Sequence, residues 1–221
     1  PVALGMMSGI FLGAWWLEPL LEDYPVHSRA VFAGLILASL WVPARMVGAA
    51  WSPVLLLGAI ASAALTFGAL GLPGANLPGD SLIWVAPAAA LAVCALVLPG
   101  VSGSYLLLTL GMYQPTLSAV NDRDVAYLGV FIVGALVGLG LFVRALQWLL
   151  SHHLAITLSI MTGLMLGSLR ALWPWQGEGR ELLAPSGDVL PVIALGAAGF
   201  VTVVALIVVQ GALTRSSRSA H

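Results

Sequence analysis

Five long apolar stretches, separated by short polar segments, constrain the fold of this chain more than any other feature. A helix needs about 20 apolar residues to cross the hydrocarbon core of a bilayer, and these stretches approach or exceed that length. Only 8% of the 221 residues are charged and 60% are hydrophobic, whereas a soluble domain carries about 25% charged residues. The sequence therefore predicts an all-α polytopic membrane protein, with spans at 1–17, 46–72, 82–98, 125–150 and 189–213.

Charge and cysteine content exclude several classes of function. The net charge is −1, and the eight basic residues, all arginine, are scattered instead of forming the basic patch that binds nucleic acid. The sequence has no GxxxxGK[ST] motif for nucleotide phosphates, and it predicts no cofactor or metal ion. Its single cysteine, Cys94, lies in an apolar stretch, where a thiol usually serves packing. We therefore expect neither a nucleic-acid-binding protein nor an ATP-driven pump.

Two further apolar runs are shorter than a full span. Run 30–42 lies between two arginines and is too short to cross a bilayer upright, and run 154–169 is marginal. Short or glycine-interrupted apolar segments are typical of broken or re-entrant helices, which other parts of the protein must shield from lipid. The sequence therefore predicts that the fold includes short broken or re-entrant helices.

A shift of 129 positions aligns the chain with itself without a gap and predicts an internal repeat. Besides many leucine matches, which are common in such a composition, glycine and serine positions coincide in register with the two short runs. We therefore predict a first repeat in residues 1–74, a second in 75–213 and a polar tail in 214–221. The coinciding pairs are Gly5 with Gly134, Gly9 with Gly138, Gly34 with Gly163, and Ser39 with Ser168.

Charge at matched loops favours an inverted repeat. The loop after the first span is acidic (18–23), whereas its counterpart carries His152 and His153, with Arg144 nearby. Basic residues favour the cytoplasmic side, so the two loops are expected on opposite sides, as in many secondary transporters. The basic tail favours a cytoplasmic C-terminus.

The sequence VLPGVSGSYLLLTLGMY (97–113) breaks an apolar region with residues that disfavour a helix. Pro99 ends the preceding helix, and Gly100 and Gly103 leave the backbone uncovered. Ser102 or Ser104 can then cap a new helix, whose first N–H groups favour an anion. Placed within a membrane, this motif would bind a phosphate or carboxylate. An equivalent motif in the first repeat would lie upstream of Pro1, so we expect part of that repeat to be missing.

The same motif has two other interpretations. It can be a plain turn between two spanning helices. It also contains Gly-x-Ser-Gly at 100–103, the tetrapeptide that carries the nucleophilic serine of rhomboid intramembrane proteases. Such a protease needs a histidine base on another membrane helix, yet all four histidines fall in predicted loops or the tail: His27, His152, His153 and His221.

Arg144 is the one charged residue well inside a predicted span. Its side chain either snorkels to the interface or faces the interior as the partner of an anion. Tryptophans lie near predicted span ends and are expected to anchor them at the interface; they are Trp15, Trp16, Trp148, Trp173 and Trp175.

Three segments resemble the bacterial polyprenyl-phosphate transporters, long described as a membrane domain of unknown function. LPGVSGSYLLLTLGMYQPTLSAV (98–120) looks like the second signature of that family. VFAGLILASLWVPAR (31–45) and IMTGLMLGSLRALWP (160–174) resemble its paired short segments. The family's first, PGVSGG-type signature is absent from this sequence.

The resemblance implies a flippase that returns undecaprenyl phosphate from the outer to the inner leaflet of the bacterial cytoplasmic membrane. The resemblance implies that the protein is not an enzyme and that membrane lipids surround it. It does not decide whether the protein forms a homo-oligomer. Transport of another anion or solute remains the alternative, and a rhomboid-like protease the less favoured one. The implied substrate-binding residues are Pro99, Gly100, Ser102, Gly103, Ser104, Tyr113 and Arg144.

Overall fold

The computed structural model describes residues 23–72, 81–97, 103–177 and 181–219. Within these ranges the chain forms nine α-helices and two short 3-10 helices. The α-helices are α1 (Pro25–Ser39), α2 (Trp41–Val47), α3 (Pro53–Ala69), α4 (Leu82–Val97), α5 (Gly103–Thr109), α6 (Tyr113–Asn121), α7 (Val125–His152), α8 (Leu154–Ser168) and α9 (Val189–Ser219). The 3-10 helices are Gly48–Ala50 and Leu169–Leu172.

Four helical segments in the described part are long and apolar enough to cross a membrane, which confirms an all-α polytopic membrane protein. They are Pro25–Ala50, Val125–His152, Leu154–Leu172 and Val189–Gly211. The last two predicted spans are thus confirmed, and the predicted span 1–17 lies outside the described residues.

The boundaries of three other segments differ from the expectation. Run 30–42 belongs to a 26-residue helical segment, and run 154–169 extends through the following 3-10 helix to 19 residues. The predicted span 46–72 is wrong in extent, because its helix starts only at Pro53 and has 17 residues. The Ser52 side chain accepts a hydrogen bond from the Leu55 amide (3.3 Å) and caps this helix, whose first residue is proline.

The described residues form two compact units, and the first consists of those in 1–39 and 169–221. Helices α1 and α9 pack together here, with glycines at the contact. A side chain at Gly34 would meet the carbonyl oxygen of Gly196, and one at Gly199 would meet that of Val31. The glycines therefore let the two backbones approach more closely than larger residues would permit.

The second unit, residues 40–168, contains the same kind of contact between α3 and α8. A side chain at Gly163 would meet the Ala59 carbonyl oxygen and the Ser62 hydroxyl. The Ser62 hydroxyl in turn donates across the contact to the carbonyl oxygen of Ile160 (3.2 Å). Close backbone packing and one hydrogen bond between helices thus join α3 to α8.

Helices α4 and α7 form the other close pair of this unit. Gly134 lies against Ala86, and Gly138 lies against Ala90, so both contacts join residues 48 positions apart. The order of the contacts shows that α4 and α7 run parallel. The Cys94 thiol contacts the carbonyl oxygen of Gly138 (3.6 Å), which agrees with the expected packing role of the cysteine.

The helix boundaries match the repeat predicted from the sequence. A shift of 129 positions places Pro25–Ser39 on Leu154–Ser168, so α1 and α8 begin and end at equivalent positions. The serine that ends each helix bonds back to its own helix, Ser39 to the Leu35 carbonyl oxygen and Ser168 to that of Met165, both at 2.8 Å. These features support a duplication.

The partner helices also match, although the sequence reading missed them. PVLLLGA in α3 (53–59) and PVIALGA in α9 (191–197) agree at five of seven positions. Yet α1 packs on α9 and α8 packs on α3. The first helix of each copy therefore packs on the second helix of the other copy. The inverted relation of the copies, and the part of the repeat in residues 1–22, stay predictions.

Candidate functional site

Helices α4, α5 and α6 form a hairpin, and they carry most of the predicted site. Gly103 lies against the Ala92 carbonyl oxygen, near the end of α4. Farther along, Thr116 contacts Tyr127 at the start of α7 (2.9 Å). Because α7 runs parallel to α4, the chain from 103 to 121 runs back toward the level at which α4 begins. That residues 99–120 form a re-entrant element in a membrane stays a prediction, since 99–102 lie outside the described residues.

The described part of α4 is shorter than a full span, so the crossing predicted at 82–98 stays a prediction. Its 16 residues extend about 24 Å, less than the roughly 30 Å hydrocarbon core. The returning arm is divided into two short helices by a turn at Gly111, whose φ of 74° suits a glycine. The returning arm thus consists of two short helices and not of one continuous helix.

The structure describes only four of the seven predicted site residues, and these four do not all lie together. Pro99, Gly100 and Ser102 lie outside the described residues. Gly103 is buried, because a side chain there would collide with the Ala92 carbonyl oxygen. Ser104 is exposed at the start of α5, and Tyr113 is 38% exposed at the start of α6. Gly103 and Ser104 thus lie together, whereas Tyr113 lies nearly three helical turns farther along the returning arm.

Arg144 lies on α7, outside the hairpin, and its side chain is exposed. The 48-position register between α4 and α7 places it level with Leu96, at the last turn of α4. It therefore shares a level with the end of α4 but lies on another helix. Its predicted role as an anion partner stays a prediction.

A tyrosine that the sequence reading overlooked ties the returning arm to α3. The Tyr105 hydroxyl donates to the carbonyl oxygen of Leu70, just after α3 (3.0 Å), and Thr109 bonds back to the Tyr105 carbonyl oxygen (2.9 Å). A tyrosine in an apolar segment usually finds such a partner for its hydroxyl. The position of Tyr105 directly after the SGS sequence (102–104) could have marked it as part of the predicted site.

A second overlooked tyrosine ties the arm to α7. The Thr116 hydroxyl donates to the Met112 carbonyl oxygen (2.7 Å), so the Tyr127 hydroxyl is the donor in its 2.9 Å contact with Thr116. Met112 is 1% exposed and Tyr127 6% exposed, and both belong to the apolar core of this unit. Hydrogen bonds to α3 and α7 thus fix both halves of the arm.

No acidic residue falls within the sequence of the hairpin, 82–121, although Asp80 and Asp122 flank it. The acidic residues that the structure describes lie at helix ends or in connecting segments; they are Asp23, Asp122, Asp124, Glu181 and Asp188. Asp124 caps α7 by accepting hydrogen bonds from the Ala126 and Tyr127 amides, both at 3.0 Å. Among the described residues no cluster of three metal-ligating side chains occurs. The predicted site thus offers hydroxyls, backbone amides and one arginine, groups that suit an anion, and its assignment stays a prediction.

Comparison with known proteins gives the family. A model of the VCA0040-like family, described as undecaprenyl phosphate translocase-like, matches residues 1–190. The chain belongs to this family. A curated relative, the polyprenyl-phosphate transporter of Vibrio cholerae serotype O1, is 35% identical over 189 residues, which cover 86% of this chain and 61% of the relative.

A second curated relative of this VCA0040-like protein is the polyprenyl-phosphate transporter of Staphylococcus aureus. It is 32% identical over 86 residues, which cover 36% of this chain and 30% of the relative. The chain thus spans about three fifths of the first relative's length and less of the second's. No solved structure matches the chain.

Proposed function

We propose that this VCA0040-like protein moves a polyprenyl phosphate, undecaprenyl phosphate in particular, between the leaflets of the bacterial cytoplasmic membrane. One observation mainly supports the proposal: residues 103–121 run back along α4 within an apolar unit, and the 99–104 motif, rich in hydroxyl and backbone donors, joins the two arms along the sequence. The names of the family and of both curated relatives support the same substrate.

The chemistry of the substrate defines what such a protein must supply. A polyprenyl tail stays in lipid, so only the phosphate needs help to cross. An unpaired charge at the centre of a bilayer costs at least several kcal/mol. Donors placed in a region without water lower that cost, because little solvent competes with them. In the proposal the 99–104 motif supplies such donors, and close packing sets Gly103 directly against the Ala92 backbone of α4.

In this proposal the phosphate binds where the hairpin reverses. Pro99 and Gly100 interrupt the helix, and the hydroxyls of Ser102 and Ser104 donate to phosphate oxygens. Gly103 keeps the returning arm against α4. Tyr105 and Tyr127 position the arm through their bonds to α3 and to Thr116. Tyr113 closes the site toward the side on which the arm leaves.

The proposal treats the protein as a transporter and not as an enzyme, as the names of its relatives suggest. Changing Ser102 to alanine separates these possibilities. In a transporter the backbone amides remain, so transport should fall only a few-fold. In a serine protease the same change should remove nearly all activity. A serine-directed fluorophosphonate provides a second test. If it labels the wild-type protein but not Ser102→Ala, the result would favour the protease.

The test of transport uses the full-length protein in liposomes that contain a polyprenyl phosphate with a fluorescent tail. Wild-type protein should accelerate movement of the phosphate between leaflets but leave the corresponding polyprenol unaffected. Gly103→Val should reduce the rate at least tenfold, because the side chain displaces the arm from Ala92. Gly129→Val is the matched control, since a side chain there meets open space. Equal acceleration of phosphate and polyprenol would contradict the proposal.

A further inference from the structure

The exposed side of α7 changes character along its length. Toward its middle it is apolar, with Val133, Val137 and Leu141 between 55% and 67% exposed. In its last three turns the same side becomes polar. The exposed polar and aromatic residues there are Arg144, Gln147, Trp148, Ser151 and His152, which we call the α7 stripe. Their spacing of three and four residues places them on one side of the helix.

The α7 stripe is separate from the side of α7 that packs against the rest of the unit. Gly134 and Gly138 face α4, and the helical repeat places Arg144 about 100° around the helix from them. Among the described residues, the Arg144 and Gln147 side chains have no hydrogen-bond or ion-pair partner. The stripe therefore presents a guanidinium and an amide, both available, on an outer side of a membrane-spanning helix.

The lower part of the stripe is held in place. The Trp148 and His152 rings stack with centroids 5.3 Å apart. The Ser151 hydroxyl bonds to the Trp148 carbonyl oxygen (2.9 Å) and contacts Nδ1 of His152 (2.8 Å). An aromatic pair of this kind suits the boundary between lipid and water. Arg144 lies eight residues before the end of α7, about 12 Å deeper along the axis.

A guanidinium at this depth needs an anion, and the sequence points to its source. No acidic residue falls inside any apolar span of the printed chain. The apolar spans of a second copy, the same over residues 1–221, carry no carboxylate either. A lipid phosphate supplies an anion, and arginine binds phosphate through two parallel hydrogen bonds. Charge complementarity therefore favours a lipid headgroup over a protein partner.

We propose that the α7 stripe is a loading site for the phosphate headgroup of the polyprenyl substrate; this inference rests on the function proposed above. Arg144 and Gln147 bind the phosphate at the level of the last turn of α4. The tail lies along the apolar part of α7, past Leu141 and Val137. The headgroup thus leaves the interface and reaches the level of the hairpin reversal before it enters the protein.

Binding of lipid to the full-length protein, followed by native mass spectrometry, tests this site. Arg144→Gln should lower occupancy by polyprenyl phosphate at least tenfold, as expected when a charge-assisted hydrogen bond is lost. Arg144→Lys keeps the charge and should lose only a few-fold, as should Gln147→Leu. Arg45→Gln is the matched control, because Arg45 is also exposed on a helix but lies outside the stripe. Occupancy of this variant by polyprenyl phosphate should change less than twofold.

A photoreactive group on the first isoprene unit of the lipid supplies a second measurement that does not depend on a variant folding. It should label α7 peptides that contain 137–148, and excess polyprenyl phosphate should suppress the labelling. Labelling confined to other helices would overturn the proposal. The proposal would also be overturned if Arg144→Gln lowered the binding of phosphatidylglycerol and of polyprenyl phosphate equally. That result would indicate a general surface for anionic lipids.

Failure of the loading site and failure of the proposed function give different results. If wild-type protein binds phosphate better than polyprenol and Arg144→Gln does the same, only the loading site is wrong. If wild-type protein does not distinguish the two lipids, the transport function itself is contradicted.

Discussion

The glycine-packed helix pairs and the hairpin are held together in opposite ways. In the pairs α1·α9 and α3·α8, backbones touch at Gly34, Gly199 and Gly163, and any side chain there meets a carbonyl oxygen. The returning arm of the hairpin has one such contact, at Gly103. It also contributes Leu107, Met112 and Ala119 to the apolar core, and two tyrosine hydroxyls tie it to α3 and α7. The comparison indicates that each glycine-packed pair depends on backbone contact within its own unit, whereas the hairpin is positioned by side chains, including two hydroxyls that a single substitution can remove.

The largest expected effect comes from separating a glycine-packed pair. Gly163→Val should push α8 away from Ala59 and Ser62 and destabilise the protein by about 3 kcal/mol. Its melting temperature in detergent should fall by on the order of 10 °C. Gly140→Val is the control, because nothing lies near a side chain at that position. Equal melting temperatures for the two variants would show that α3 and α8 are not in close contact.

The equivalent glycine of the other pair tests whether the two pairs are alike. Gly34→Val should produce a loss similar to that of Gly163→Val, since the side chain meets the carbonyl oxygen of Gly196 and approaches Phe200. Thermal unfolding of both single variants provides the comparison. A loss near zero at Gly34 beside a large one at Gly163 would argue against equivalent packing in the two copies.

A smaller loss of stability is expected when one bond of the hairpin is removed. Tyr127→Phe deletes the donor to Thr116, whose own proton stays bonded to Met112, so about 1 kcal/mol should be lost. Transport should nevertheless fall several-fold, because the arm loses its tie to α7. Tyr24→Phe, at an exposed tyrosine, serves as the control. Unchanged transport in Tyr127→Phe would mean that the bond does not position the site.

The smallest effect is predicted for the hydrogen bond between α3 and α8. Ser62→Ala removes a 3.2 Å bond to Ile160, but the hydroxyl also has its own helix's Ala59 carbonyl as a partner (3.0 Å). Bonds between membrane helices contribute about 0.6 kcal/mol on average, so the melting temperature should fall by only a few degrees at most. A loss as large as that of Gly163→Val would show that this bond, and not close packing, joins the pair.

Much of the helical architecture was predictable from sequence, because apolar runs and helix breakers act locally. The two spans near 125–150 and 189–213 follow from such local signals. The start of α3 could also have been predicted, since a serine N-cap followed by proline, here Ser52 and Pro53, is typical of a helix start. The sequence reading missed it because hydropathy alone joined 46–72 into one span.

The choice of helix partners was not predictable. Glycines at 34 and 163 indicate close packing but do not specify the partner, because any helix with small residues offers a similar surface. The same limit applies to Tyr105 and Tyr127, whose acceptors lie 35 and 11 residues away. For the site, sequence could propose the motif at 99–104, but the level of Arg144 relative to α4 required the register between α4 and α7.

The exchange of partners between the two copies has a consequence for biosynthesis. Helix α1 cannot meet α9 until about 150 further residues have been made, which takes roughly 8–30 s at typical rates of translation. Helix α3 waits for α8 a shorter time, since fewer than 90 residues separate the two helices. We therefore expect α1 to leave the ribosome and enter the membrane without its partner, with the glycine surface around Gly34 open to lipid or to an insertion factor. The unit that contains α3 and α8 should be resistant to protease in ribosome-bound chains before α1 becomes so.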